Sequence, residues 1–75
     1  MLKRKPKSTY GKEGGDGVWK LELYPLENPT AFAKWGFQRY KMTPLGWVEM
    51  GNEERFSDRK VAENYIFRLG FSRVA

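Results

Sequence analysis

The chain has 75 residues, room for one small domain, and contains neither cysteine nor histidine, so disulfides, thiolate or imidazole metal sites and histidine general bases are all excluded. Net charge is +5, and the excess sits at the start: Lys3, Arg4, Lys5, Lys7 and Lys12 meet no acidic residue in the first twelve positions, while basic and acidic residues balance in the rest. No apolar run approaches the roughly 18–20 residues that span a bilayer, and no apolar stretch follows the basic start as in a secretory signal. A cytoplasmic protein with no membrane partner is therefore expected.

The basic start runs on through Gly11, Gly14, Gly15 and Gly17. Such a segment is polar and flexible, with little to bury. It predicts a disordered basic N-terminal arm over residues 1–16, followed by a single α+β domain over 17–75. Two readings of the arm stand: a solvated tail, or an electrostatic arm that follows a phosphate backbone or an acidic protein surface. Gly14-Gly15-Asp16-Gly17 is not a phosphate-binding loop, because no Gly-Lys-Ser/Thr and no helix follow it. It reads as a linker.

From Val18 to Tyr24 the chain alternates, with Trp19, Leu21 and Leu23 on one face of a half-buried strand. Pro25 and Asn28-Pro29 break it. A second strand is expected over Ala33 to Met42, where Trp35 and Phe37 share one face and Tyr40 and Met42 the other. Gly36 there marks either a bulge or a strand covered on both sides. Pro44-Leu45-Gly46 makes a turn, Trp47 to Met50 a short third strand, and Gly51-Asn52 its end. A helix follows over 58–69, with Ser57 as N-cap and Phe56 and Val61 placed for a hydrophobic staple. Its apolar face is Val61, Ala62, Tyr65, Ile66 and Leu69. Gly70 fits the position after the C-cap, with Phe71 packing on Ile66 as a Schellman ending requires. The expected fold is β-β-β-α: a three-stranded antiparallel sheet packed by one C-terminal helix.

Catalysis finds no support. The hydroxyls have no histidine to activate them, and Glu53-Glu54 are adjacent acids in a polar stretch rather than an opposed, buried pair. No cofactor, metal or small-molecule substrate is implied. Binding is better served. Lys34, Arg39 and Lys41 are interleaved with Trp35, Phe37 and Tyr40, the combination that single-stranded nucleic acid uses when bases stack between phosphate contacts. Read structurally, the same rings are core and the same cations face water. Arg59 and Lys60, with Arg68, lie on the helix's polar face, which is either a recognition surface or simply solvated.

The run Glu54-Arg55-Phe56-Ser57-Asp58-Arg59-Lys60-Val61-Ala62-Glu63-Asn64-Tyr65, arriving after three expected strands, resembles the end of the arm-type DNA-binding domains of tyrosine recombinases. The resemblance covers about forty residues as pattern more than identity, and this sheet is less basic than that family's. It implies a sheet entering the major groove with a helix behind it, and Lys34, Arg39 and Lys41 facing the groove. The sequence thus leads to a non-enzymatic basic module in a nucleic-acid process. Its contacts are Lys3, Arg4, Lys5, Lys7, Lys12, Lys34, Trp35, Arg39, Lys41, Arg59 and Lys60. The alternative is a small phage-type regulator of transcription that docks on an acidic surface of a large protein such as RNA polymerase.

Overall fold

The computed structural model describes residues 6–75. Its elements are strands β1 (Ser8–Gly14), β2 (Gly17–Pro25), β3 (Trp35–Thr43) and β4 (Gly46–Phe56), helix α1 (Arg59–Arg68) and the two-residue strand β5 (Ser72–Arg73). They form a five-stranded antiparallel sheet in the order β4-β3-β2-β1-β5 with α1 on one face. The expected three-stranded sheet is corrected to five.

The largest correction concerns the expected disordered arm. Residues 8–14 are β1, an inner strand held on one side by β2 and on the other by β5. Tyr10 explains it. It is fully buried against Leu21, its partner in β2, and carries much of the apolar weight of an otherwise polar strand. The expected linker is the hairpin turn: Gly14 pairs with Gly17 across Gly15-Asp16, and Gly17 takes φ +118°, which favours glycine. The chain end seals the other side of β1, where Val74 N–H donates to Thr9 O at 2.8 Å and Thr9 N–H to Ala75 O at 2.9 Å.

The third expected strand is also too short. β4 continues past Gly51-Asn52 because the chain bulges there: Phe37 pairs with Glu54 and Arg39 with Met50, so three residues of β4 lie opposite Gln38. Gly51 adopts φ +76°, and the buried Gln38 amide donates to Gly51 O at 3.2 Å. Gly36 therefore marks no bulge. It gives clearance, since a Cβ there would lie 2.9 Å from Leu26 Cδ2 and 3.3 Å from Tyr24 and Glu53.

On the helix side, Tyr10, Leu21, Leu23 and Phe37 meet Ala62, Ile66 and Phe71 in one core, with Trp19, Trp35, Phe56 and Leu69 around it. The N-cap is Asp58, whose carboxylate accepts from Lys60 N–H at 3.0 Å, and not Ser57. Shifting the cap by one residue removes the staple spacing. Val61 is exposed, and Phe56 packs on Tyr65 with ring centroids 5.5 Å apart. The C-terminal expectation holds: Gly70 N–H bonds Phe67 O at 3.0 Å, Phe71 N–H bonds Ile66 O at 3.3 Å, and Gly70 sits at φ +91°.

Candidate functional site

The strand register sorts side chains into rows across the helix-side face. Ser8, Leu23, Phe37 and Glu54 form one row; Tyr10, Leu21, Arg39 and Met50 the next; Lys12, Trp19, Lys41 and Val48 the third. The helix covers the first row and part of the second. Beyond it the face turns basic: Lys12 from β1 meets Arg39 and Lys41 from β3 around Trp19.

Each cation is positioned. Lys12 Nζ donates to Leu69 O at 3.1 Å, at the carbonyl end of α1, and lies 5.7 Å from the Phe71 ring centroid. Lys41 Nζ lies 5.3 Å from the Trp19 ring centroid. Its Cε passes close to Gly17, where a Cβ would approach to 3.1 Å. Arg39 reaches toward the β4 bulge, its Nη2 3.3 Å from where a Cβ on Gly51 would be. A recess of about 180 Å³ is lined by Lys12 and Arg39 with Asp16, Trp19, Leu69 and Phe71; Lys41 lies outside it. Two polar atoms of these lining residues, Trp19 Nε1 and Arg39 Nε, are buried and have no hydrogen-bond partner among the described residues. A buried donor left unpaired costs about 1–3 kcal/mol, more when charged.

The structure divides the expected contact residues. Lys12, Arg39 and Lys41 come together. Trp35 and Arg59 meet at the opposite end of the face, where the Arg59 guanidinium lies 5.4 Å from the Trp35 ring centroid and Arg59 pairs with Glu63 at 3.7 Å, while Lys34 is exposed just before β3 and Lys60 exposed in the first turn of α1. Along β3, Trp35 lies about 13 Å from Arg39 and about 20 Å from Lys41. Lys7 is exposed just before β1, its N–H bonded to Leu23 O at 2.7 Å. Lys3, Arg4 and Lys5 lie outside the described residues.

The expected interleaving of cations and stacking rings does not form. Adjacent strand residues face opposite ways, so Tyr40 is on the helix-free face while Arg39 and Lys41 are on the other; Phe37 is core. The recombinase-like arrangement fails for the same reason: the sheet has five strands, and Arg39 and Lys41 lie on the side that carries the helix.

The helix-free face has different chemistry. Lys20 Nζ sits 5.1 Å from the Tyr40 centroid and 4.8 Å from that of Trp47, and pairs with Glu22 at 3.6 Å. Glu13, Glu49 and Glu53 share this face by register and contact, with Arg55 as a second strand cation. It is the more acidic side of the sheet.

Under the helix, Ser8 Oγ donates to Tyr10 OH at 3.1 Å and Tyr10 OH to Glu63 at 3.0 Å. Burial raises the Tyr10 pKa above the usual phenol value; the Ser8 bond opposes this and the Glu63 carboxylate adds to it. Among the described residues no group of three or more acidic side chains is placed to hold a metal ion, and no helix is long and apolar enough to cross a membrane.

Trp19 and Asp16 are the site residues that sequence reasoning missed. Trp19 shares its face with Leu21 and Leu23 and so read as core. The available signal was register: pairing 8–14 with 17–25 puts Lys12 beside Trp19. No protein-family model, curated protein or solved structure matches the chain.

Proposed function

We propose that the chain is a non-enzymatic nucleic-acid-binding module that grips the phosphate backbone with Lys12, Arg39 and Lys41 at the uncovered end of the helix-side face. The observation that carries this reading is the convergence of Lys12 from β1 with Arg39 and Lys41 from β3 around one indole of β2. Cations placed this way attract phosphate without reading sequence. The acidic character of the opposite face orients the encounter, because only one side of the sheet draws a polyanion. Backbone contact is favoured over base stacking, since the half-buried Tyr40 ring and the exposed Trp47 ring lie on the other side of the sheet. The basic residues before Ser8 add to the same attraction.

Anisotropy of labelled duplex and single-stranded DNA, titrated with the full chain at several salt concentrations, tests the reading. Three phosphate contacts imply a log–log slope of about −2.7, or about a fortyfold loss of affinity between 50 and 200 mM salt, with any contacts from Lys3, Arg4, Lys5 and Lys7 steepening it. No binding at 50 mM salt would overturn the reading and turn attention to an acidic protein partner. Truncations that probe the basic start should stop before Ser8, because removing residues 1–12 deletes most of an inner strand.

A further inference from the structure

Going beyond that reading and independently of it, we infer that the chain self-associates through the outer edge of β4, whose first five residues pair antiparallel with those of a second copy about a two-fold axis at Val48. The two edges of the sheet are unlike. β5 has two residues, and the chain end beside it is bonded to Thr9. β4 has eleven residues and pairs only with β3 among the described residues, so alternate backbone N–H and C=O groups point outward. Its two halves are also unlike. From Gly51 on, a bulge bends the strand, and Glu53, Glu54 and Arg55 place three charges in a row, the devices that keep an edge from pairing. Gly46 to Met50 has neither proline nor lysine, and its apolar side chains stand out on both faces: Trp47 is 39% exposed, Val48 43% and Met50 37%.

The bounds of that stretch fix the register. The Pro44-Leu45 turn limits it on one side and the bulge at Gly51 on the other, so the regular segment is centred on Val48. Antiparallel self-pairing there sets Val48 against Val48, Trp47 against Glu49 and Gly46 against Met50 of the copy. On the helix side the seam is Val48, Met50 and the small Gly46. On the other side each Trp47 ring, with Lys20 Nζ 4.8 Å from its centroid, receives the copy's Glu49, so an acid meets a cation across the seam. Like charges oppose the pairing only weakly. The two Glu49 carboxylates become diagonal neighbours, and the two Lys20 ammonium groups offset them. Lys41 stands beside Val48 in each copy, but three strand spacings put the pair about 14 Å apart, beyond the screening length of about 10 Å at 0.1 M salt. Five residues a side make a small interface, so the dimer is weak and forms as concentration rises.

Sedimentation velocity of the full chain without nucleic acid, from micromolar to millimolar protein, tests the association. A monomer–dimer equilibrium is expected. Val48→Lys, which sets two ammonium groups face to face, should weaken it at least about tenfold. Val61→Lys adds the same charge at an exposed helix position and should leave it unchanged. Circular dichroism checks the fold of each variant. The chain has no cysteine, so cross-linking can read the register. Residues directly opposite in an antiparallel pair have Cα atoms about 4.5–5.5 Å apart, within the span of a disulfide. Val48→Cys should therefore give a disulfide-linked dimer under mild oxidation. Leu45→Cys, the more accessible thiol because Leu45 is 97% exposed, should not, since its two copies lie about 20 Å apart in this register. A monomer at every concentration overturns the inference and leaves the edge to a strand of another protein. A dimer that Val48→Lys weakens no more than Val61→Lys, or equal cross-linking at both cysteines, overturns it as well. Because no nucleic acid is present, a dimer that ignores DNA rejects the phosphate reading alone, and a monomer that binds DNA rejects the pairing alone.

Discussion

The same three strands build two unlike regions on the helix side of the sheet. Toward the β2–β3 connection, Leu23 and Phe37 are fully buried beneath α1 with Ile66. A few residues further along, Lys12, Trp19 and Lys41 occupy the equivalent row with no helix above them. The helix stops between these regions because Gly70 ends it, and Lys12 closes its last carbonyl. Helix length therefore decides where core gives way to site. The first region satisfies its groups internally; the second leaves two buried donors unsatisfied, as expected where stability yields to binding.

Variants can break that contrast or sharpen it. Phe37→Ala strikes the covered region and should destabilise by about 3–5 kcal/mol, much of a small domain's total, seen as a lowered urea midpoint. Gly70→Ala strikes the boundary. At φ +91° an alanine is strained, and a loss of about 1–2 kcal/mol is expected although a Cβ would touch nothing closer than Lys12 Cδ at 3.7 Å. Arg39→Met strikes the uncovered region and should do the opposite of a core variant. With the unpaired donor gone, stability should hold or rise by about 1 kcal/mol while DNA affinity falls about tenfold. Clear destabilisation by Arg39→Met would show that the guanidinium is structural and remove the contrast. Tyr10 gives the smallest effect. Its raised pKa favours the neutral phenol in the fold, so that stabilisation is complete below the unfolded value of about 10 and is lost as pH rises through the folded value. Denaturation midpoints followed above pH 10 should fall more steeply for the native chain than for Tyr10→Phe.

Legibility in the sequence followed local signal. β2 and α1 carry strong periodicity, and the Gly70–Phe71 ending is a local motif, so all three could be read. β1 could not, because Tyr10 is its one large apolar side chain and its neighbours Gly11, Lys12 and Glu13 have the composition of a tail. It becomes a strand only by pairing on both sides, a tertiary fact. The end of β4 was hidden similarly: Gly51-Asn52 has turn chemistry, and only the Gln38 amide across the sheet lets the strand continue. The site inherits these gaps. Arg39 and Lys41 were evident as cations in a strand, but their neighbours Lys12 and Trp19 follow from the β1–β2–β3 register. Lys34, Trp35, Arg59 and Lys60 seemed equivalent in sequence, and the fold places them at the far end.

That last separation provides the most direct measurement. Two triple variants remove equal charge from the two ends of the molecule: Lys12→Gln with Arg39→Gln and Lys41→Gln, and Lys34→Gln with Arg59→Gln and Lys60→Gln. Duplex DNA affinity is measured for both and for the native chain across a salt series, with folding checked by circular dichroism. The first variant should lose most of the affinity and about 2.7 from the salt slope, while the second stays close to the native chain. Equal losses from both variants would reduce the binding to net charge and contradict the site.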